Sequence, residues 1–415
     1  MAISQSSAQL ELPVHPAPAV DAEKAQVKSE LPGSSSGLKF LLLFAALSSS
    51  MGLSAGMAQI TTSLYAVQLG ASEAMLGLIA SAQSVGVLLI GMPAGMAVDR
   101  VGPARPFAIG TLSAGLLYFL LPFFPSATWL LITTASVSFF MPLRFVSLNS
   151  VFLRALAGLG AARAGWFRAT HMLGMFLIGP VVAARVVAAW GHAVAYWCIS
   201  ASFAFTLLLS PLVFGPHSVR TQAAPRRAGA VLRRLFADAE IRRVALLEVG
   251  SQGINAYYTF FIVVIAVKIA NLSPAQASNL VAIKGVSLIA ALLLLGRTVA
   301  RWGKQRTYLI GLAVGGVSLL VLGLTANPIS LYTGGLGLGL GLGLLQIVNL
   351  TEFARAGARF GHGALSGVNA LVGPSGSFLG GMLGGVVGRA IGLPAVFLLG
   401  AGACVGAGWL LRRSA

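Results

Sequence analysis

Negative charge is what this 415-residue chain has least of: ten Asp and Glu stand against 28 Lys and Arg, and only 9% of residues are charged. A soluble domain carries about a quarter charged residues, and a disordered chain needs low hydrophobicity. A sequence that is 57% apolar therefore fits neither class. Cysteine is confined to Cys198 and Cys404, each inside an apolar run, which excludes a disulfide framework and a thiolate metal motif and leaves two packing thiols. No nucleophile–base arrangement, zinc spacing or nucleotide fingerprint occurs, so ATP-driven transport and membrane enzymology lack residues to carry them. The expectation is a protein that is not an enzyme and holds neither cofactor nor metal.

What the chain does have is long apolar runs. Residues 1–37 are rich in Ser, Ala, Pro, Glu and Lys and read as a disordered cytoplasmic tail. Past Leu38 the apolar stretches approach the roughly 20 residues a helix needs to cross a hydrocarbon core of about 30 Å. Helices are the expected spanning elements, because lipid offers exposed backbone no hydrogen-bond partner. The predicted spans are 38–63, 75–98, 106–124, 128–151, 165–188, 193–214, 243–267, 276–297, 307–326, 329–351, 364–388 and 394–411. A basic linker, 215–242, divides them into six-helix bundles at 38–214 and 243–415.

The positive charge is tested first as a topology signal. Of the 28 basic residues, Arg185, Lys268 and Arg389 lie near one face and Arg144 and Lys284 inside spans; the other 23 share the face that carries both termini. That asymmetry predicts a multi-pass inner (plasma) membrane protein with both termini cytoplasmic. It removes the case for nucleic acid as a partner, since the charge is spread over many loops. The expected partners are the lipid bilayer, a small-molecule substrate and protons, with the chain a monomer.

An internal repeat supports the division into halves. GMAVDRVGPAR, from Gly95 to Arg105, recurs as GRTVARWGKQR, from Gly296 to Arg306. Gly95, Arg100, Gly102 and Arg105 match Gly296, Arg301, Gly303 and Arg306 at an offset of 201 residues, with a weaker echo of Ser72 at Ser273. Within this loop Gly95 and Gly102 permit close backbone approach and a tight turn, while Asp99, Arg100 and Arg105 offer charge-assisted bonds to a neighbouring helix end.

The Gly95–Arg105 segment resembles the loop signature of the major facilitator superfamily, with the last basic residue one position late and Ala300 replacing Asp99 in the second copy. The resemblance implies an all-α fold of twelve helices in two pseudo-symmetric bundles, alternating access about a central site, and a gating role for the loop residues. A partial likeness of Gly174, Gly179 and Pro180 in the fifth helix, with Gly373 and Pro374 in the eleventh, to the glycine–proline signature of proton-coupled drug antiporters implies export; packing and kinking are the plainer use of such residues.

Charged and polar side chains inside spans are the site candidates, because burying charge in a bilayer is costly. Lys284 lies near the midplane of the eighth helix and Arg144 in the fourth, with Gln346 at the equivalent depth of the tenth. Eliminating tail, loop and linker acids leaves Glu248 and Glu352 as candidates for proton coupling. Glu248 begins a one-faced stripe with Gln252, Asn255 and Thr259, flanked by Tyr258; Glu352 lies one turn beyond Asn349. His171 reads as a packed histidine, and Gly335, Gly339 and Gly343 as a smooth packing stripe. The resulting expectation is proton-coupled export of a small organic metabolite or drug, including siderophore-like chelators. Import of an organic anion or sugar is the alternative, and a non-transporting sensor is disfavoured for want of a soluble domain.

Overall fold

The structure, a computed structural model, describes residues 34–159, 170–214, 237–360 and 362–413, with side chains placed for all of these except 34–38, 153–159, 298, 357–360 and 362–370. The proposed tail up to residue 33, the linker up to residue 236 with Arg220, Arg226, Arg227, Arg233 and Arg234, and Arg163 and Arg168 lie outside the described residues, while Arg242 at the linker's end is part of a helix. Every regular element that is described is helical.

The helices are α1 (Ser34–Gln68), α2 (Glu73–Val101), α3 (Ala104–Leu120), α4 (Ala127–Leu159), α5 (170–190), α6 (192–214), α7 (Ala239–Lys268), α8 (Pro274–Leu294), α9 (Lys304–Leu324), α10 (Pro328–Phe360), α11 (His362–Ile391) and α12 (Ala395–Arg413). A one-turn helix, Thr298–Trp302, precedes α9. Continuous helical hydrogen bonding joins α5 and α6 into one stretch, Thr170–Phe214, that would otherwise count as a single span. Gly191 breaks it with φ 81° and ψ 177°, a conformation open only to glycine, and so reverses the chain there. With that break the expected twelve helices are present, each overlapping its predicted span, although α4 and α10 run eight and nine residues past their predicted ends.

The repeat is written in backbone torsions more clearly than in side chains. Positive φ occurs at Gly70, Gly102 and Gly191, and again at Asn271, Gly303 and Gly392, each pair 201 residues apart. Gly102 and Gly303 agree within a few degrees, at φ 83°, ψ 162° and φ 78°, ψ 161°. Ser72 and Ser273, the weaker echo, are both N-caps with extended torsions, each hydroxyl accepting a backbone N–H at 3.3 Å. The two halves are thus built on one template.

The start of α1 and the end of α12 lie at the end of the bundle that carries Arg100, Arg105, Arg301, Arg306, Arg412 and Arg413, here called the basic end. At the opposite end the halves touch. Gly77 and Ser81 of α2 meet Gly385 and Gly381 of α11, so closely that a Cβ on Gly385 would lie 2.8 Å from the Gly77 Cα. Ser81 Oγ donates to Phe378 O at 3.2 Å, and Lys268 Nζ at the end of α7 donates to Ala71 O at 3.3 Å. Lipid gives helices no hydrophobic drive to associate, so small residues that admit backbone contact supply the dispersion that holds this seam.

Candidate substrate cavity

Between the halves lies a cavity of about 380 Å³. The N-terminal half contributes Gln59, Gln83, Ser84 and His171 with Met172, Met175 and Phe176; the C-terminal half contributes Ser251, Gln252, Asn255, Thr259, Gln346 and Ser377 with apolar neighbours. The α2–α11 seam closes it at the opposite end. Toward the basic end it extends to His171, near the start of the described part of α5, and to Leu288 in the later part of α8.

Local structure sets this lining. One turn into the described part of α5 lies a π turn, Gly174–Ile178, which places Met175 and Phe176 on the wall. A Cβ on Gly174 would collide with the α1 backbone at Ser49. The His171 ring meets Ser48 O at 3.2 Å through Nδ1 and sits edge-on to Phe145 at 5.2 Å, so it is anchored to α1 and α4 while facing the cavity.

On α7 the expected stripe is one face, divided between two tasks. Glu248 is buried; its Oε1 accepts from Gln252 Nε2 at 2.8 Å and its Oε2 from Asn349 Nδ2 at 2.5 Å. Asn349 Oδ1 in turn accepts from the Tyr308 hydroxyl at 2.6 Å, so a polar chain runs from the cavity wall at Gln252 through α10 to α9. Two turns along, Asn255 Oδ1 and Thr259 Oγ1 accept from Lys284 Nζ at 2.7 and 2.9 Å. Lys284 is fully buried one layer behind the wall, with its ammonium 4.8 Å from the centre of the Phe176 ring. The glycine stripe of α10 makes room for it: a Cβ on Gly339 would strike the α8 backbone at Lys284. Tyr258 is wholly buried with its hydroxyl on Leu280 O at 3.0 Å and does not face the cavity.

Arg144 and Gln346 do not share the cavity. Gln346 lines it, but Arg144 is 1% exposed inside the N-terminal bundle. Its Nε donates to Thr111 Oγ1 at 3.2 Å and its Nη2 to Thr206 Oγ1 at 3.3 Å, with the guanidinium 3.8 Å over the Phe203 ring. Equivalent depth in two helices does not imply equivalent rotation about their axes, and α4 turns this residue toward α3 and α6. Glu352 is also apart from the cavity. It is buried at the basic end, paired with Lys304 at 3.1 Å and Arg355 at 2.7 Å, and Lys304 also pairs with Glu240 of α7.

In the loop copies, Arg100, Arg105, Arg301 and Arg306 are exposed, and Asp99 is half-buried. Asp99 has no ion pair among the described residues in this conformation. Gly95 faces open space, and a Cβ on Gly296 would meet only Leu292 O, at 3.2 Å. Gly179 packs against Gly56 with Pro180 buried beside it; Gly373 meets no neighbour at its Cβ position, and Pro374 lies within α11. Sequence reasoning missed Gln59, Gln83 and Ser84, whose signal was uncharged polarity inside apolar spans. Among the described residues no group of His, Cys, Asp and Glu could hold a metal ion.

Comparison with known proteins places this geometry. The family profile described as Major Facilitator Superfamily matches residues 42–268. No curated protein matches the chain. Among solved structures, the nucleoside transporter NupG has a TM-score of 0.76 at 15% identity, covering 90% of this chain and 98% of its own. A POT family transporter in complex with 5-aminolevulinic acid has a TM-score of 0.75 at 12% identity, covering 90% and 95%.

Proposed function

This chain belongs to the major facilitator superfamily, and from that premise we propose that it is a proton-coupled exporter of a small organic metabolite or drug, working by alternating access. The observation that carries the reading is the cavity between the halves, walled by neutral polar side chains and bordered through Gln252 by a buried carboxylate. Glu248 is the proposed proton-coupling group. Ionised, it accepts from two amides and pairs with no cation among the described residues; protonated, it releases one of those bonds, which changes how α7 is tied to α10. Glu352 is a weaker candidate, because Lys304 and Arg355 already hold it as an ion pair.

The distribution of Lys and Arg supports a cytoplasmic basic end. On that assignment the structure, sealed at α2–α11, is the inward-facing member of the cycle. The loop residues Gly95, Asp99, Arg100, Gly102 and Arg105, with their second-half copies, are then proposed to form the cytoplasmic gate in the other state. The amides Gln59, Gln83, Gln252, Asn255 and Gln346 also favour a second reading, import of an organic anion or sugar, since they match hydroxyl and carbonyl groups equally well.

The test is reconstitution into liposomes loaded with pyranine and challenged in turn with organic anions, nucleosides and cationic dyes. A solute that alters lumenal pH in wild type and not in Glu248→Gln is the expected result. Solute flux indifferent to a pH gradient and to Glu248→Gln would remove proton coupling.

A further inference from the structure

Lys284 is a cation without an anion. Its side chain is 0% exposed, and among the described residues its ammonium bonds to two neutral oxygens, Asn255 Oδ1 at 2.7 Å and Thr259 Oγ1 at 2.9 Å, beside the rings of Phe176 and Tyr258. No carboxylate pairs with it among the described residues. The buried acid of the same stripe, Glu248, precedes Asn255 by seven residues, or about 10 Å along the helix axis. A buried ion lacking a counter-charge costs the fold heavily, and the low-dielectric surroundings that impose the cost also strengthen any anion that arrives.

Three of the four side chains around the ammonium face two ways. Asn255, Thr259 and Phe176 all line the cavity, and no Asp, Glu, Lys or Arg does so among the described residues. Asn255 turns its carbonyl oxygen to Lys284, and its amide nitrogen donates to nothing among the described residues. A rotation of Asn255 would open the way from cavity to ammonium and carry that N–H toward the same point.

We propose that Lys284 is the anion-recognition group of the cavity and that the transported solute carries a single carboxylate, which displaces the Asn255 oxygen from the ammonium. The assignment rests on the transport reading above and names its substrate class. One ammonium balances one negative charge, so a monoanionic carboxylate leaves the site neutral whereas a phosphate dianion would not. Asn255 and Thr259 hold the ammonium through neutral oxygens, and the solute supplies the missing charge at the moment of binding. The rest of the solute lies among the amides and Phe176, which fixes orientation without further charge.

The test is thermal unfolding of the full-length protein in nanodiscs with acetate, acetamide or inorganic phosphate, each compared with chloride at matched ionic strength. Acetate is expected to raise the Tm saturably in wild type while acetamide, which has the same shape and no charge, leaves it unmoved. Lys284→Met abolishes the acetate effect, and Lys268→Met, which removes an exposed cation, retains it. The wild-type contrast of acetate with acetamide needs no variant to fold. An equal response to acetamide, a response to phosphate alone, no response to any probe, or an acetate effect that survives in folded Lys284→Met would each overturn the assignment. Solute flux without an acetate effect removes this inference and leaves the transport reading; acetate binding without flux in the liposome assay does the reverse.

Discussion

A single methyl group at Gly385 should move the conformational equilibrium. Its Cβ would fall 2.8 Å from Gly77 Cα and 3.4 Å from the carbonyl oxygens of Glu73 and Ala74. Carbon–carbon contacts are comfortable at about 3.5–4.0 Å, so α2 and α11 must part by about 1 Å. Overpacking of this kind costs about 1–3 kcal/mol. The cost falls on the sealed state alone, because the seam is made only there. A differential of that size shifts a two-state equilibrium about 5- to 150-fold. The assay places one cysteine at Gln83 on the cavity wall, in a background with Cys198→Ala and Cys404→Ala, and measures labelling by an impermeant maleimide added from the opposite end. Labelling should accelerate in Gly385→Ala and further in Gly385→Val. Unchanged labelling in both, in protein that elutes and melts as wild type, would refute the idea that this seam closes the cavity.

Other substitutions separate structural from functional roles. Arg144→Met, which keeps the volume and removes a buried charge, should leave stability within about 1 kcal/mol, whereas Arg144→Ala opens a cavity and should cost about 2–4 kcal/mol in thermal unfolding. Gly102→Ala and Gly303→Ala should each cost about 1–3 kcal/mol, since both positions have torsions reserved for glycine, while Gly95→Ala, facing open space, serves as the neutral control. Asp99→Asn should leave unfolding within about 0.5 kcal/mol, having no ion pair to lose among the described residues, yet alter accessibility of the cavity from each face. Identical accessibility would end the gating role.

The spans and the duplication were legible in the sequence because both rest on signals that survive without tertiary information: run length against bilayer thickness, and identical residues at a fixed offset. The break at Gly191 was legible for the same reason, as a gap between two runs. What could not be read was rotation about the helix axis. In a soluble helix the polar face reports which side is buried, but a spanning helix is apolar on the lipid side and the protein side alike. Arg144 and Gln346 therefore looked equivalent, and only the packing of α4 against α3 and α6 shows that one is enclosed while the other faces the cavity. Lys284 was legible in depth but not in its partners, since Asn255 and Thr259 belong to another helix. The lining from α1 and α2 was overlooked because the amides that were found, Gln252, Asn255, Asn349 and Gln346, were each reached through a charged residue, and Gln59 and Gln83 share no stripe with one.

The paired left-handed positions also bear on how the protein is made. Each acts within a turn or two of its own sequence, so the reversals of the first half are fixed by residues that leave the ribosome together. The matching positions follow 201 residues later. At about 10 residues per second that interval is about 20 s, long compared with helix formation and turn closure. The first bundle can settle in the bilayer before the second exists, and the cavity between them is the last feature of the molecule to form.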